Sequence, residues 1–160
     1  MAIDSDIVEM HKMEMTDFDL RWRFIGDDYN NLPLAVLLNQ LVPLKAEGAK
    51  CLSDFLVING VHSDFPFKEG MFKNLKRCDI RLKGVTGTRS WLNSLGLNRD
   101  ENIYLSWSDT CAMVTSWGIV INYYDDLFYP GSDDLTVFDS SLDWVVLFFH
   151  ESQIYFGSRR

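Results

Sequence analysis

The stretch from Tyr129 to Gly157 reads YPGSDDLTVFDSSLDWVVLFFHESQIYFG, and the recurrence of its apolar residues decides the fold. Pro130, Gly131 and Ser132 form a turn signal, the acid pair Asp133 and Asp134 follows, and from there the spacing is that of strands. Leu135 to Phe138 is a short strand, Asp139-Ser-Ser a turn, and Trp144 to His150 an almost unbroken apolar run. Such a run suits a central strand buried on both faces, and Gln153 to Phe156 then closes a three-stranded antiparallel sheet.

Upstream of this block the period becomes helical. Ser116 is placed to cap a helix from Trp117 to about Phe128, in which Ile119, Val120, Tyr123, Tyr124 and Leu127 lie within reach of one face. Asn102 to Trp107 and Ala112 to Thr115 read as two further strands. Thr86 to Leu95 reads as a short helix, with Trp91, Leu92 and Leu95 inward and Gly96 at the left-handed position after its end. Cys78 to Lys83 is a short strand.

Earlier still, Leu32 to Leu44 carries a helical stripe opened by Asn31 and interrupted by Pro43, and a second helix runs from Lys45 toward Phe55 before a turn at Asn59-Gly60. Asp19 to Ile25 alternates, with Leu20, Trp22 and Phe24 on one face, which predicts a first strand ending in a turn at Gly26-Asp27-Asp28. Residues 1–15 suit a short helix or a loose arm. No repeat or linker divides the 160 residues. The expectation is a single α+β domain over residues 1–160, a mostly antiparallel sheet with helices packed on one face.

An apolar share of 47% beside 24% charged residues is that of an ordinary globular chain and excludes disorder. No apolar run reaches the ~18 to 20 residues that span a bilayer, and the acidic start lacks the pattern of a secretory signal, so a cytoplasmic protein without a membrane partner is expected. Cys51, Cys78 and Cys111 are odd in number and widely spaced, which suits reduced, packed thiols. Of the net charge of −8, residues 99–160 hold ten acids against Arg99, Arg159 and Arg160, whereas residues 1–98 are nearly neutral. That field repels nucleic acid and attracts basic partners. A smaller positive patch, from Lys68 to Arg89, is expected opposite it.

Two constellations stand out. Tyr124, Asp125, Asp126, Phe128 and Tyr129 interleave aromatics with acids at a helix end, beside Asp133 and Asp134. Aromatic anchors with a charged rim are the usual build of a protein interface, so these seven are the expected partner-binding residues. His150 and Glu151, with Asp133 and Asp134 one strand away, form the alternative: a divalent-metal site or a general base for a metal-assisted hydrolase. The competing reading makes His150 a strand-end hydrogen-bonding residue and the Asp pair a turn cap. Nothing in the chain has the spacing of a catalytic motif, a cofactor loop or a zinc ribbon, and no cofactor is expected.

The order Trp117, YYDDLFYPGSDD, a strand, DWVVLFFHES and IYFG resembles small bacterial proteins in which a Tyr-Pro-x-Ser-Asp-Asp turn precedes a strand with Trp and a His-Glu exit. Related small acidic proteins occur among the immunity proteins of bacterial toxin systems. The resemblance covers Trp107 to Arg159 and departs from that form at Ser152. It implies a non-catalytic toxin inhibitor whose partner is a basic toxin domain, and it carries no catalytic residues. A regulatory or structural subunit binding through the same acidic face is the further alternative.

Overall fold

The computed structural model describes residue 3, residues 5–26 and residues 32–160. In chain order the elements are α1 (Ser5–His11), α2 (Trp22–Ile25), α3 (Leu34–Asn39), β1 (Val42–Leu44), α4 (Ala46–Ile58), β2 (Asn74–Asp79), α5 (Ile80–Asn93), β3 (Asn102–Ser106), β4 (Ala112–Ser116), α6 (Trp117–Leu127), β5 (Leu135–Phe138), β6 (Trp144–Phe149) and β7 (Gln153–Ser158). The strands form one antiparallel sheet in the order β1-β4-β3-β5-β6-β7-β2. The C-terminal meander β5-β6-β7 pairs as its sequence predicts, but it is part of a seven-stranded sheet rather than a three-stranded one, with β3 added beside β5 and β2 beside β7. Helix α6 carries the chain from β4 across to β5.

The near-continuous apolar run of β6 has a direct structural cause. Side chains alternate across a strand, so Trp144, Val146 and Phe148 enter one core while Val145 and Leu147 enter another on the opposite face. The first core packs the sheet against α2, α3, α5 and α6; the second packs it against α1 and α4. The α+β class and the single antiparallel sheet are as expected. Helical cover, expected on one face, extends to the second through α4, whose Ala49, Leu52, Phe55 and Leu56 are buried. Phe72 completes that core by lying flat on Gly157 of β7. A Cβ there would come within 2.4 Å of the ring, so only glycine admits this packing.

Local signals placed most of the second half. Ser116 caps α6, its Oγ accepting from the Ile119 N–H at 3.4 Å. Gly96, at φ 73°, follows α5. The first half departs from expectation in four places. Asp19 to Ile25 holds a turn and the short helix α2 rather than a strand, with Trp22 43% exposed and Arg23 only 3% exposed, the reverse of what alternation implies. Arg23 is buried because a residue far along the chain neutralises it.

The stripe from Leu32 to Leu44 splits into α3 and β1. Pro43, which has no N–H to donate, ends up in the edge strand, where that loss is tolerated. Helix α4 continues past Phe55 to Ile58 and stops where Gly60 adopts φ 66°. Cys78 and Asp79 end β2, and Asp79 then caps α5, its Oδ1 accepting from the Arg81 and Leu82 N–H groups. The expected turn at Asp27-Asp28 and the expected cap at Asn31 lie outside the described residues. At the N-terminus α1 is docked: Ile7 and Val8 pack on the second core, and the Lys45 N–H donates to the His11 carbonyl at 2.7 Å.

Candidate functional site

The residues expected to bind a partner are separated by their burial. Asp133 turns inward and pairs with Arg23 through two parallel bonds, Nη1 to Oδ2 at 2.5 Å and Nη2 to Oδ1 at 2.9 Å. It also accepts from the Tyr129 N–H at 2.9 Å, so it closes the Tyr-Pro-Gly-Ser turn onto α2. Burial alone would raise its pKa; hydrogen bonds from Arg23 and Tyr129, with the guanidinium charge, outweigh it and hold the carboxyl below its usual range. Arg23 in turn lies over the Tyr129 ring, its Cζ 4.2 Å from the centroid, and Tyr129 meets Trp22 edge-on at 5.5 Å.

Tyr124, Asp126 and Phe128 are 3, 8 and 1% exposed, and both rings pack on Phe148. They belong to the core and offer no contact surface. Burial raises the Tyr124 phenol pKa. Two acids of the set are exposed: Asp125, in an ion pair with Arg89 at 3.0 Å, and Asp134. Asp134 accepts from the His150 N–H at 3.0 Å and bonds its Nδ1 at 2.9 Å, both through Oδ1.

This geometry does not assemble the alternative metal site. Asp133 is committed to Arg23 and Asp134 to His150, while Glu151 stands exposed at the turn; among the described residues no group of three or more His, Cys, Asp or Glu side chains comes together to hold an ion. Burial pushes the Cys111 thiol up to about 12 and raises the Cys78 thiol, so neither is a thiolate at neutral pH. The basic stretch lies beside the acidic turn rather than opposite it, since β2 pairs with β7: Arg77 and Arg81 share a cleft with His150 and Glu151.

The sequence reading missed a site on the second face of the sheet. After α4 the chain folds over that face and is pinned by His62, whose Nδ1 bonds the Pro66 carbonyl at 2.8 Å and whose Nε2 bonds Thr136 Oγ1 on β5 at 2.9 Å. Burial lowers the His62 pKa, against the opposing effects of the Pro66 carbonyl and the Asp134 charge, so the ring is neutral at neutral pH. The pinned loop projects Phe65, 61% exposed, against Phe149 at 4.7 Å and Tyr155 at 5.2 Å. Beneath it lies a cleft of about 310 Å³ walled by Phe65, Trp107 and Phe149, with Asp64 and Asp134 at its rim. The available signal was the sequence Phe65-Pro66-Phe67 in a stretch without periodicity, two exposed-looking rings with no helix or strand to bury them.

A larger groove of about 650 Å³ crosses the end of the sheet, where Lys76 and Arg160 face Asp139 and Asp143. Its charges cancel. No family model, curated protein or solved structure matches this chain. No helix among the described residues is long and apolar enough to cross a membrane.

Proposed function

We propose that this is a non-catalytic binding protein that holds a basic protein partner against its acidic C-terminal surface and, following the sequence resemblance, that it is an immunity protein neutralising a toxin in this way. The observation that carries the reading is how the C-terminal acids are divided. Asp133 and Asp126 serve the interior, whereas the Asp134 side chain stays 53% exposed beside an aromatic cleft, in a segment of net charge −7. Exposed carboxylates speed encounter with a basic surface, and desolvated rings slow release.

The test is native co-purification at low salt, followed by identification and rebinding of the captured protein in pure form. The expected partner is basic, its affinity falls as salt rises, and it falls further in the Asp125→Lys/Asp134→Lys variant. A chain that retains no basic protein, or one whose binding ignores both salt and the reversals, refutes the proposal. Growth of cells making the partner separates immunity from a regulatory subunit: this protein restores it only if the partner is a toxin.

A further inference from the structure

The aromatic cleft under the His62 loop is floored by Leu147 of the second core and walled by rings that the cores only partly cover. Its three rings, Phe65, Trp107 and Phe149, are partly exposed: Phe65 is 61% accessible although it lies 4.7 Å from Phe149, and the other two are half-buried. Three clustered aromatics kept at a surface mark a place where something else binds. Its volume of about 310 Å³ lies at the bottom of the range for small-molecule sites, enough for one long side chain.

The chemistry of the rim is one-sided. Asp64 and Asp134 line the cleft, and neither Lys nor Arg does. His62, the one lining residue that could bring positive charge, has both ring nitrogens occupied by Pro66 and Thr136. His150 bonds Oδ1 of Asp134 and leaves Oδ2 without a bond from it. Asp64 holds the Glu69 N–H through its own Oδ2 at 3.0 Å, which fixes the carboxylate in place. Electron-rich ring faces with carboxylates at one end attract a cation and repel an anion. A guanidinium suits this better than an ammonium, because its plane stacks on rings while its N–H groups reach a carboxylate.

We infer that the cleft walled by Phe65, Trp107 and Phe149 receives a single arginine side chain of the basic partner, its guanidinium stacked on the rings and donating to Asp134. The inference rests on the binding reading above and names the partner's anchoring residue. Asp134 then has two tasks at two oxygens: Oδ1 holds the His150 strand end, and Oδ2 takes the arginine.

The probe is N-acetyl-arginine methylamide, followed by nuclear magnetic resonance on the whole chain, with the Trp107 indole N–H, which donates to the Leu127 carbonyl at 3.1 Å, as reporter at the cleft wall. Shifts are expected at Trp107, Phe65, Phe149 and Asp134. They should be absent with the neutral isostere N-acetyl-citrulline methylamide, and Phe65→Ala should weaken binding about tenfold, the effect of one good cation–ring contact and its buried area. Phe65 is exposed, so its replacement leaves the rest of the spectrum, and hence the fold, unchanged. Saturation without shifts in the cleft, equal shifts with citrulline, or full affinity in Phe65→Ala overturns the inference. A basic partner that binds by salt-dependent contacts yet binds Phe65→Ala undiminished also overturns it while leaving the binding function standing. Arginine-amide binding in a chain that holds no basic protein removes the function instead.

Discussion

Replacing Asp133 with Ala separates a scaffold role from a surface one. The substitution removes both bonds to Arg23 and leaves a guanidinium that is 3% exposed, supported among the described residues by the Leu127 carbonyl at 3.3 Å and the Trp22 and Tyr129 rings. Breaking a buried ion pair from one side costs about 3–5 kcal/mol, because the remaining charge cannot regain water, whereas an exposed pair is worth about 0–1 kcal/mol. With a urea m-value of about 2 kcal/mol/M, the expected loss lowers the unfolding midpoint by about 2 M. Asp125→Ala, at an exposed pair, should move it little.

Removing both charges at once, in Arg23→Met/Asp133→Leu, should recover most of the loss, since no orphaned charge is left. The pH dependence has a definite sign. The folded pKa of Asp133 lies below its unfolded value of about 3.9, so its contribution is complete above that value and is lost as pH falls through the folded pKa. The acid decline should therefore be shallower in Asp133→Ala. Urea unfolding of the four proteins between pH 7 and pH 3 checks every part. A cost below about 1 kcal/mol for Asp133→Ala at pH 7, or a double variant as unstable as the single, refutes the buried-pair reasoning.

Other outcomes follow from the same packing. Gly157→Ala should destabilise by about 1–3 kcal/mol, measured as a lower melting temperature, because its Cβ meets the Phe72 ring and the ring must leave the second core. Iodoacetamide at pH 8 should label half-buried Cys51 well before Cys78 and Cys111, which are buried and have raised pKa values; mass spectrometry of the native protein reads the order. His62 is held neutral in the fold, with a pKa below its unfolded 6.5, so as pH falls beneath about 6.5 the unfolded chain takes up the proton first and stability declines. In His62→Gln that part of the decline, followed by thermal melts between pH 7.5 and pH 5, should disappear.

The sheet's middle and the helix before it are legible in the residues because both obey local rules. Period two in β5 and β7, the unbroken apolar run of β6, the Ser116 cap and the Gly96 stop each act within a few residues of the chain. Apolarity at every position of β6 marked that strand as buried on both faces, since a strand with one solvated face would alternate, yet helical cover was expected on one face only. Which helix covers the second face was not legible: α4 looks the same whichever side it joins.

The candidate site divides along the same line. That Asp133 and Asp134 stand in an acidic, turn-forming segment is written in the sequence; that one is buried against Arg23 and the other exposed beside His150 is not. Arg23 lies 110 residues from Asp133, and nothing local to either residue records the other. Period two from Asp19 to Ile25 was a false signal for that reason, because burial there follows the ion pair and not strand alternation. The aromatic cleft was equally hidden. His62 belongs to a loop without periodicity and Thr136 to a strand 74 residues on, and their hydrogen bond, together with the burial of Phe67 in the second core, places Phe65 over Phe149. Short-range periodicity and capping thus determined the elements and the sign of the charge; long-range hydrogen bonds and ion pairs, made only when the sheet closes, decided which acids and rings meet solvent.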